Sequence, residues 1–424
     1  MYRKRKILET LLRHKKNNKI TILTGARQVG KTTLLKELYR ILEPHNKSLF
    51  LDLDIFSNYE KANTYENLLN TLKLNGYREN REDCFYLFLD EFQRYPDISI
   101  VLKNIYDHHK NIKVYASGSS SLVINKRIQE SLAGRKHIVN IYPLSFKEFL
   151  YFRERSDVLS QLENISSVSS EKLNKLIPQA YQELDQFMIY GGYPEVVLVK
   201  EEDKKDVLAS IFDLYVSKDL VDYLKIEKIK NAKTFIKLLA VNNGGEVKFN
   251  SIGQAAGINE KTVRNYIELL KETFLINVIT PWFSNRDKEI VKMPKIYFFD
   301  SGVRNFFVNN FNPMDMRSDA SYLFEGFIIS ELINNGEPND LIKFWRTKNK
   351  YEVDIILERF AKPLPIEIKF KNKLSSGDFK GIRHFRSAYP DSGSPYMINL
   401  YNNTIKNDIK LLSPFELSSI KERR

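Results

Sequence analysis

Cysteine occurs once in these 424 residues, at Cys84, so no intrachain disulfide can form and no zinc finger or ribbon can be assembled from thiolates. Histidine is scarce, with six residues and no H-E-x-x-H, which removes the helix-borne zinc hydrolases. No apolar run approaches the roughly 18 to 20 residues of a membrane span. The basic opening MYRKRKILETLLRHKKNNKI lacks the apolar stretch of a secretory signal. Internal repeats and low-complexity segments are missing too. These absences predict a soluble, cytoplasmic chain with no membrane partner.

What is present is an ordinary globular mixture, 42% hydrophobic and 28% charged, long enough for two to four domains of about 150 residues. Lys and Arg number 66 against 53 Asp and Glu, a formal charge of +13 that favours acidic partners, nucleic acid or nucleotide ahead of an anionic membrane. The first 18 residues read as a charged helix. Short apolar runs then alternate with helix-compatible segments: KITILTG (19–25), SLFLDLD (48–54), FYLFLDE (85–91), IKVYASG (112–118) and HIVNIY (137–142). That alternation predicts a mostly parallel sheet covered by helices, with ligands beyond the carboxyl ends of the strands.

From 144 to about 240 the pattern is helical, with a serine-rich loop near 166–170. At 249–282 a short helix carrying Ile252, Ala255 and Ala256 turns at Gly257. A second helix follows, lined by Val263, Tyr266, Ile267, Leu269 and Leu270, and then a β-type run. This reads as a helix-turn-helix with a strand wing, in which Lys261, Arg264 and Asn265 would face DNA or, equally, the domain would serve packing. Trp282 and Trp345 are stacking platforms or, more commonly for isolated aromatics, core. The last unit, from about 295, has the strands IYFFD, LIKFWRT, EVDIIL and PIEIKF and a helix at about 322–335.

Gly25, Ala26, Arg27, Gln28, Val29, Gly30, Lys31 and Thr32 fit G-x-x-x-x-G-K-[ST] between a strand and a helix, with Thr33 next in line. The glycines let backbone amides wrap a phosphate, Lys31 reaches the β- and γ-phosphates of ATP, and the Thr32 hydroxyl binds Mg²⁺. Asp90 and Glu91 end an apolar strand downstream, where the first would hold Mg²⁺ through water and the second would act as general base. Ser119 follows the next strand and would touch the γ-phosphate or the attacking water. Arg135, between a helix and a strand, would reach the nucleotide of a second copy in a homo-oligomer or else make a surface salt bridge.

A second pattern lies near the C-terminus. Asp354 sits in EVDIIL, while Glu367 and Lys369, two apart in PIEIKF, share a strand face. With Glu325 from the preceding helix, Asp354 and Glu367 would ligate Mg²⁺ or Mn²⁺ and Lys369 would orient a nucleophile. An internal salt bridge of Lys369 to either carboxylate satisfies the same buried charges without catalysis.

The strings TGARQVGKTTLL, LFLDEFQR, ASGSSSLV, SLAGR, YPLSFKEFL and YGGYPEVVL, in that order, resemble the bacterial and archaeal AAA+-type ATPases that end in the domain of unknown function DUF4143. FEG, FWRTKNK, EVDIIL and PIEIKF resemble the PD-(D/E)xK restriction-endonuclease-like core. The resemblance implies Walker and sensor roles for Lys31, Thr32, Asp90, Glu91 and Ser119, and the finger position for Arg135. It implies an α/β architecture: a P-loop NTPase (AAA+) core at 1–150, a helical lid at 151–240, a winged-helix-like module at 241–290 and a nuclease-like α/β domain at 291–424. The expected function is ATP hydrolysis coupled to DNA binding or metal-dependent DNA processing. The alternative is an ATP-dependent switch whose inactive nuclease-like domain binds a protein partner.

Overall fold

The computed structural model describes residues 2–79, 83–95, 97–118, 130–163, 170–214, 229–283, 293–337, 339–359, 362–400, 405–406 and 408–420. The chain forms two compact units, Met1–Pro143 with Glu272–Phe274, and Leu144–Lys271 with Leu275–Arg424. Among the described residues no helix is long and apolar enough to cross a membrane.

In the first unit, β1 (Ile20–Gly25), β2 (Ser48–Asp52), β3 (Phe85–Asp90), β4 (Ile112–Ser117) and β5 (Lys136–Ile141) make a parallel sheet in the order β2-β3-β4-β1-β5. The inner strands β1, β3 and β4 are buried along their whole length, which is why they read as unbroken apolar runs, whereas edge strand β5 is only partly covered. The covering helices are α1 (Ile7–Arg13), α2 (Lys31–Leu42), α3 (Phe56–Glu60), α4 (Tyr65–Leu74) and α5 (Ile98–His108). Leu68 and Leu72 of α4 and Leu102 and Ile105 of α5 close over Leu87, Leu89 and Val114. Phe274, with a left-handed φ of 61°, sets its ring edge-on to Tyr142 at 5.8 Å.

The second unit opens earlier than expected. Leu144 N donates to Gly192 O at 2.7 Å, Ser145 and Glu148 form a capping box on α6 (Phe146–Phe152), and Phe146 N donates to Glu331 at 2.8 Å. The YPLSFKEFL string therefore leaves the first unit at residue 143 and not at 150. Next come α7 (Ser156–Glu163), α8 (Ser170–Tyr190), α9 (Pro194–Leu198), α10 (Lys204–Leu214) and α11 (Ile229–Val241). The helix-turn-helix follows as α12 (Phe249–Ala256) and α13 (Glu260–Glu272), with Gly257 left-handed in the turn, and then the antiparallel ribbon β6 (Ile276–Ile279) and β7 (Lys295–Phe298). The expected strand IYFFD thus belongs to this ribbon, because Phe298 pairs with Ile276 and Lys295 with Ile279, so a boundary at 290 would cut the ribbon in two.

The remaining elements are α14 (Ser301–Val308), α15 (Ala320–Asn335), β8 (Leu341–Arg346), β9 (Glu352–Glu358), β10 (Leu364–Lys369), α16 (Lys380–Ala388), β11 (Tyr396–Asn399), β12 (Ile405–Lys406) and β13 (Ile409–Leu412). Strands β8, β9 and β10 are antiparallel neighbours, and β11 joins β10 in parallel after α16. The sheet runs β12-β13-β11-β10-β9-β8.

The helices between 144 and 241 and the C-terminal sheet are not independent bodies. Phe146, Leu184 and Met188 share one core with Phe327, Ile355, Ile366 and Ile398. The glycine pair of YGGYPEVVL makes another joint. Gly191 has φ +79° and a Cβ there would meet the Asp300 carboxylate at 2.1 Å, while Gly192 N donates to Asp300 at 2.7 Å. A third joint is ionic. Asp319 takes Arg317 at 2.8 Å and also the Arg304 guanidinium, whose Nε reaches Ala240 O on α11 at 2.8 Å. Burial opposes the charge on Asp319, yet the two guanidiniums outweigh it and pull its pKa down to about 2. Asp319→Ala leaves two buried arginines without their carboxylate and should cost about 3–5 kcal/mol in a urea titration. A loss below 1 kcal/mol would show that this joint does not hold the unit.

Candidate functional sites

At the end of β1 the chain turns at Gly25, where φ is +152° and a Cβ would lie 2.0 Å from Ile141 O on β5, so a side chain is excluded. Gln28 and Gly30 are left-handed, with φ of 58° and 90°, and the loop curls into α2, whose free N-terminal amides favour an anion. Lys31 Nζ lies inside the curl, donating to Gly25 O at 3.0 Å and Ala26 O at 2.5 Å. Thr32 follows half-buried and Thr33 exposed.

Asp90, 2% exposed, accepts from the Ser117 hydroxyl and, at 3.1 Å, from Glu91 N. Glu91 has φ 52°, a left-handed backbone that costs about 1 to 3 kcal/mol in a non-glycine residue and is held by that Asp90 contact. Ser119 lies outside the described residues. The hydroxyl that meets Asp90 is that of Ser117. Strand register carries the signal: Leu89 pairs with Ala116, so the next residues along, Asp90 and Ser117, come side by side. Arg135 makes a two-pronged ion pair with Asp107 of α5, Nε at 2.7 Å and Nη2 at 3.1 Å. It precedes β5 at the level of Ile20, the opposite end of the sheet from Gly25, so it does not reach the loop of its own chain.

In the second unit Asp354, Glu367 and Lys369 do come together. Lys369 Nζ is 2.6 Å from Glu367 and 3.5 Å from Asp354, and Ile368 N donates to Asp354 at 2.8 Å. Glu325 receives Tyr297 OH at 2.7 Å. Lys295, which the sequence reading did not single out, pairs with Glu352. Burial, then Asp354, pushes the Glu367 carboxyl well above the ordinary range and Glu325 up to about 7. Burial works against Lys369 and Lys295, but Asp354 and Glu367 around the first, and Glu325, Asp354 and Glu352 around the second, hold both above the usual lysine value. Of the expected metal set of Glu325, Asp354 and Glu367, the last two have the Lys369 ammonium standing between them. Among the described residues no three His, Cys, Asp or Glu side chains are grouped to hold a metal.

On α13, Arg264 pairs with Glu260 at 2.6 Å and lies over the Phe249 ring at 4.1 Å, and Lys271 pairs with Glu268 at 3.4 Å. Three cations on this helix (Lys261, Arg264, Lys271) face three anions (Glu260, Glu268, Glu272), so it carries no net positive charge. Trp282 donates to Glu358 at 2.7 Å, and with Trp345 it packs edge-on against Phe385 in a closed core, which leaves neither ring as a stacking platform.

Comparison with known proteins fits this geometry. Residues 17–150 match the AAA domain family, 181–314 a domain of unknown function (DUF8612) and 321–417 a domain of unknown function (DUF4143). An uncharacterized protein of Methanocaldococcus jannaschii is 27% identical over 350 residues, covering 80% of this chain and 72% of that one. An uncharacterized Haemophilus influenzae protein is 24% identical over 396 residues, with 90% of each chain covered. The Walker-type ATPase paby2304 of Pyrococcus abyssi superposes with a TM-score of 0.45 at 15% identity, over 73% of this chain and 96% of that one. The loop, the acidic pair and the parallel sheet all fall within residues 17–150, the stretch that matches the AAA domain family. The DUF4143 match follows it in the same chain, at residues 321–417.

A carboxyl whose pKa is raised by folding keeps a proton that the unfolded chain has released. Its stabilisation is complete below its ordinary value of 4.5 and is lost as pH rises through about 7, which applies to Glu325 and equally to the buried Glu331. The urea midpoint should therefore fall between about pH 5 and about pH 8, and Glu325→Gln should flatten part of that slope. Equal slopes for the variant and the native protein would mean that Glu325 is already ionised in the fold.

Proposed function

We propose that this chain is an ATP-hydrolysing switch whose nuclease-like C-terminal domain docks a protein partner rather than cutting DNA. The observation that carries the first half is the alignment of the Lys31 loop with the Asp90–Ser117 pair at the carboxyl ends of adjoining strands. Bound phosphate replaces the Gly25 and Ala26 carbonyls as the partner of Lys31, and the inward amides and the α2 N-terminus meet its charge. The Thr32 hydroxyl and, through water, Asp90 are the groups that fit Mg²⁺, which would neutralise charge on the β- and γ-phosphates. Glu91 sits one residue beyond Asp90, where its carboxylate orients the attacking water and takes its proton.

For the C-terminal half, the placement of Lys369 between Asp354 and Glu367 supports an ion-paired, non-cleaving core. The charge balance on α13 supports the same reading, since DNA-binding helices draw their affinity from unpaired cations. A second reading, metal-dependent DNA cleavage, draws on one arrangement. Glu367 Oε2 is buried without a hydrogen bond beside Asp354 and Lys369, an acceptor that a cation could use.

One assay separates them: supercoiled plasmid and single-stranded DNA with Mg²⁺ or Mn²⁺, with and without ATP, beside a phosphate-release measurement. Native protein should release phosphate and leave both DNAs intact. Lys31→Ala should lose ATP binding, and Glu91→Gln should bind ATP but turn over about a hundredfold slower or less. Cleavage that disappears in Asp354→Ala would instead establish the second reading.

Arg135 enters this scheme only as a group acting on a second copy, after releasing Asp107. In that role Arg135→Ala lowers turnover far more than ATP affinity, and native turnover per chain rises with protein concentration. Turnover that is independent of concentration and unchanged by the substitution would end the assignment.

A further inference from the structure

Behind the phosphate loop stands an arginine that no motif marks. Arg5 lies just ahead of α1, 5% exposed, with its own carbonyl accepting Leu8 N at 3.1 Å. The helix it leads into is fixed in turn, because Leu11 is buried and its carbonyl accepts Tyr115 OH from β4 at 2.9 Å. From that anchored position the guanidinium reaches two carbonyls on separate segments: Nη1 donates to Val29 O at 3.1 Å, and Nη2 to Tyr142 O at 3.0 Å.

The choice of carbonyl matters. Val29 O and Gly30 N–H belong to one peptide unit, which is planar and trans, so the two groups point in opposite directions. A donor that draws Val29 O away from the loop therefore turns Gly30 N–H toward its concave side. Lys31 occupies that side, on the carbonyls of Gly25 and Ala26. Tyr142 O supplies the fixed end of the brace, since it follows β5, whose Ile141 pairs with Gly25. A planar fork of N–H donors can span both acceptors, whereas an ammonium can satisfy them only as a point charge.

We infer that Arg5 is a positioning residue of the nucleotide site, holding the Val29–Gly30 peptide so that its amide faces the bound phosphate. This rests on the nucleotide reading above and adds to it a residue outside the motif. Amide contacts of this kind act on bound ATP before any bond is broken, so Arg5 governs affinity more than the rate of the chemical step.

The test uses the full chain and a fluorescent ATP analogue with Mg²⁺, with turnover and thermal midpoint measured in parallel. Arg5→Ala should weaken analogue binding at least about tenfold while kcat stays within about threefold. Guanidinium at low millimolar concentration, well below unfolding levels, should restore part of that affinity. Arg5→Lys, the milder change should Arg5→Ala fail to fold, should fall between the native protein and Arg5→Ala. Native affinity in a folded Arg5→Lys or Arg5→Ala variant overturns the inference, as does a loss confined to kcat. Lys31→Ala keeps the two readings apart. If native protein binds the analogue and Lys31→Ala does not, the nucleotide site stands whatever Arg5 does. If native protein fails to bind, both readings fall.

Discussion

Strands that run parallel finish at the same end of their sheet, and residues far apart in the chain meet there only if the register is right. In the first unit that register aligns Asp52 with Asp90, Leu89 with Ala116 and Leu23 with Ser117, while β5 brings Ile141 against Gly25. A shift of one residue in β4 would move Ser117 away from Asp90 and turn a different face of the strand toward the loop. Loop, acidic pair and hydroxyl are separate features in the chain that share one end of the sheet because three strands, β1, β3 and β4, agree on where they stop. The close passage of Gly25 against Ile141 O shows how little slack that agreement leaves.

The second unit solves a different problem. Its buried charges are too many to stand alone, and the fold answers by matching them inside: Asp319 between Arg304 and Arg317, Lys369 between Asp354 and Glu367, Lys295 against Glu352. Burying ions is costly unless each is paired and hydrogen-bonded, so these contacts act more as constraints on how the pieces fit than as sources of net stability. They also explain why segments that look like separate modules in the chain are tied to one another within the unit.

How much of this was legible in the sequence depends on range. The phosphate loop is eight consecutive residues, and its strand and helix neighbours are local, so Gly25 to Thr32 and the Asp90–Glu91 pair could be read directly. The contact of Ser117 with Asp90 could not be read without the register of two strands separated by a helix. In the C-terminal domain the spacing of Glu367 and Lys369 revealed a shared face. Lys295 stayed hidden because its strand pairs with β6, in a ribbon whose partner strand had been read as the wing of another module. Charge pairing on α13 was local enough to notice, at i and i+4, yet composition alone shows cations without showing that carboxylates already answer them.

The tripeptide Glu272–Phe274 belongs to the first unit, although the chain on either side of it, α13 and β6, belongs to the second. Domain dissection is the practical consequence. A fragment ended at Pro143 would carry the whole parallel sheet but would lose the aromatic neighbour of Tyr142, and a fragment begun at Leu144 would keep Phe274 without the ring it packs against. Neither piece would be a clean domain, and swapping the parallel-sheet portion between relatives would have to carry residues 272–274 along with it.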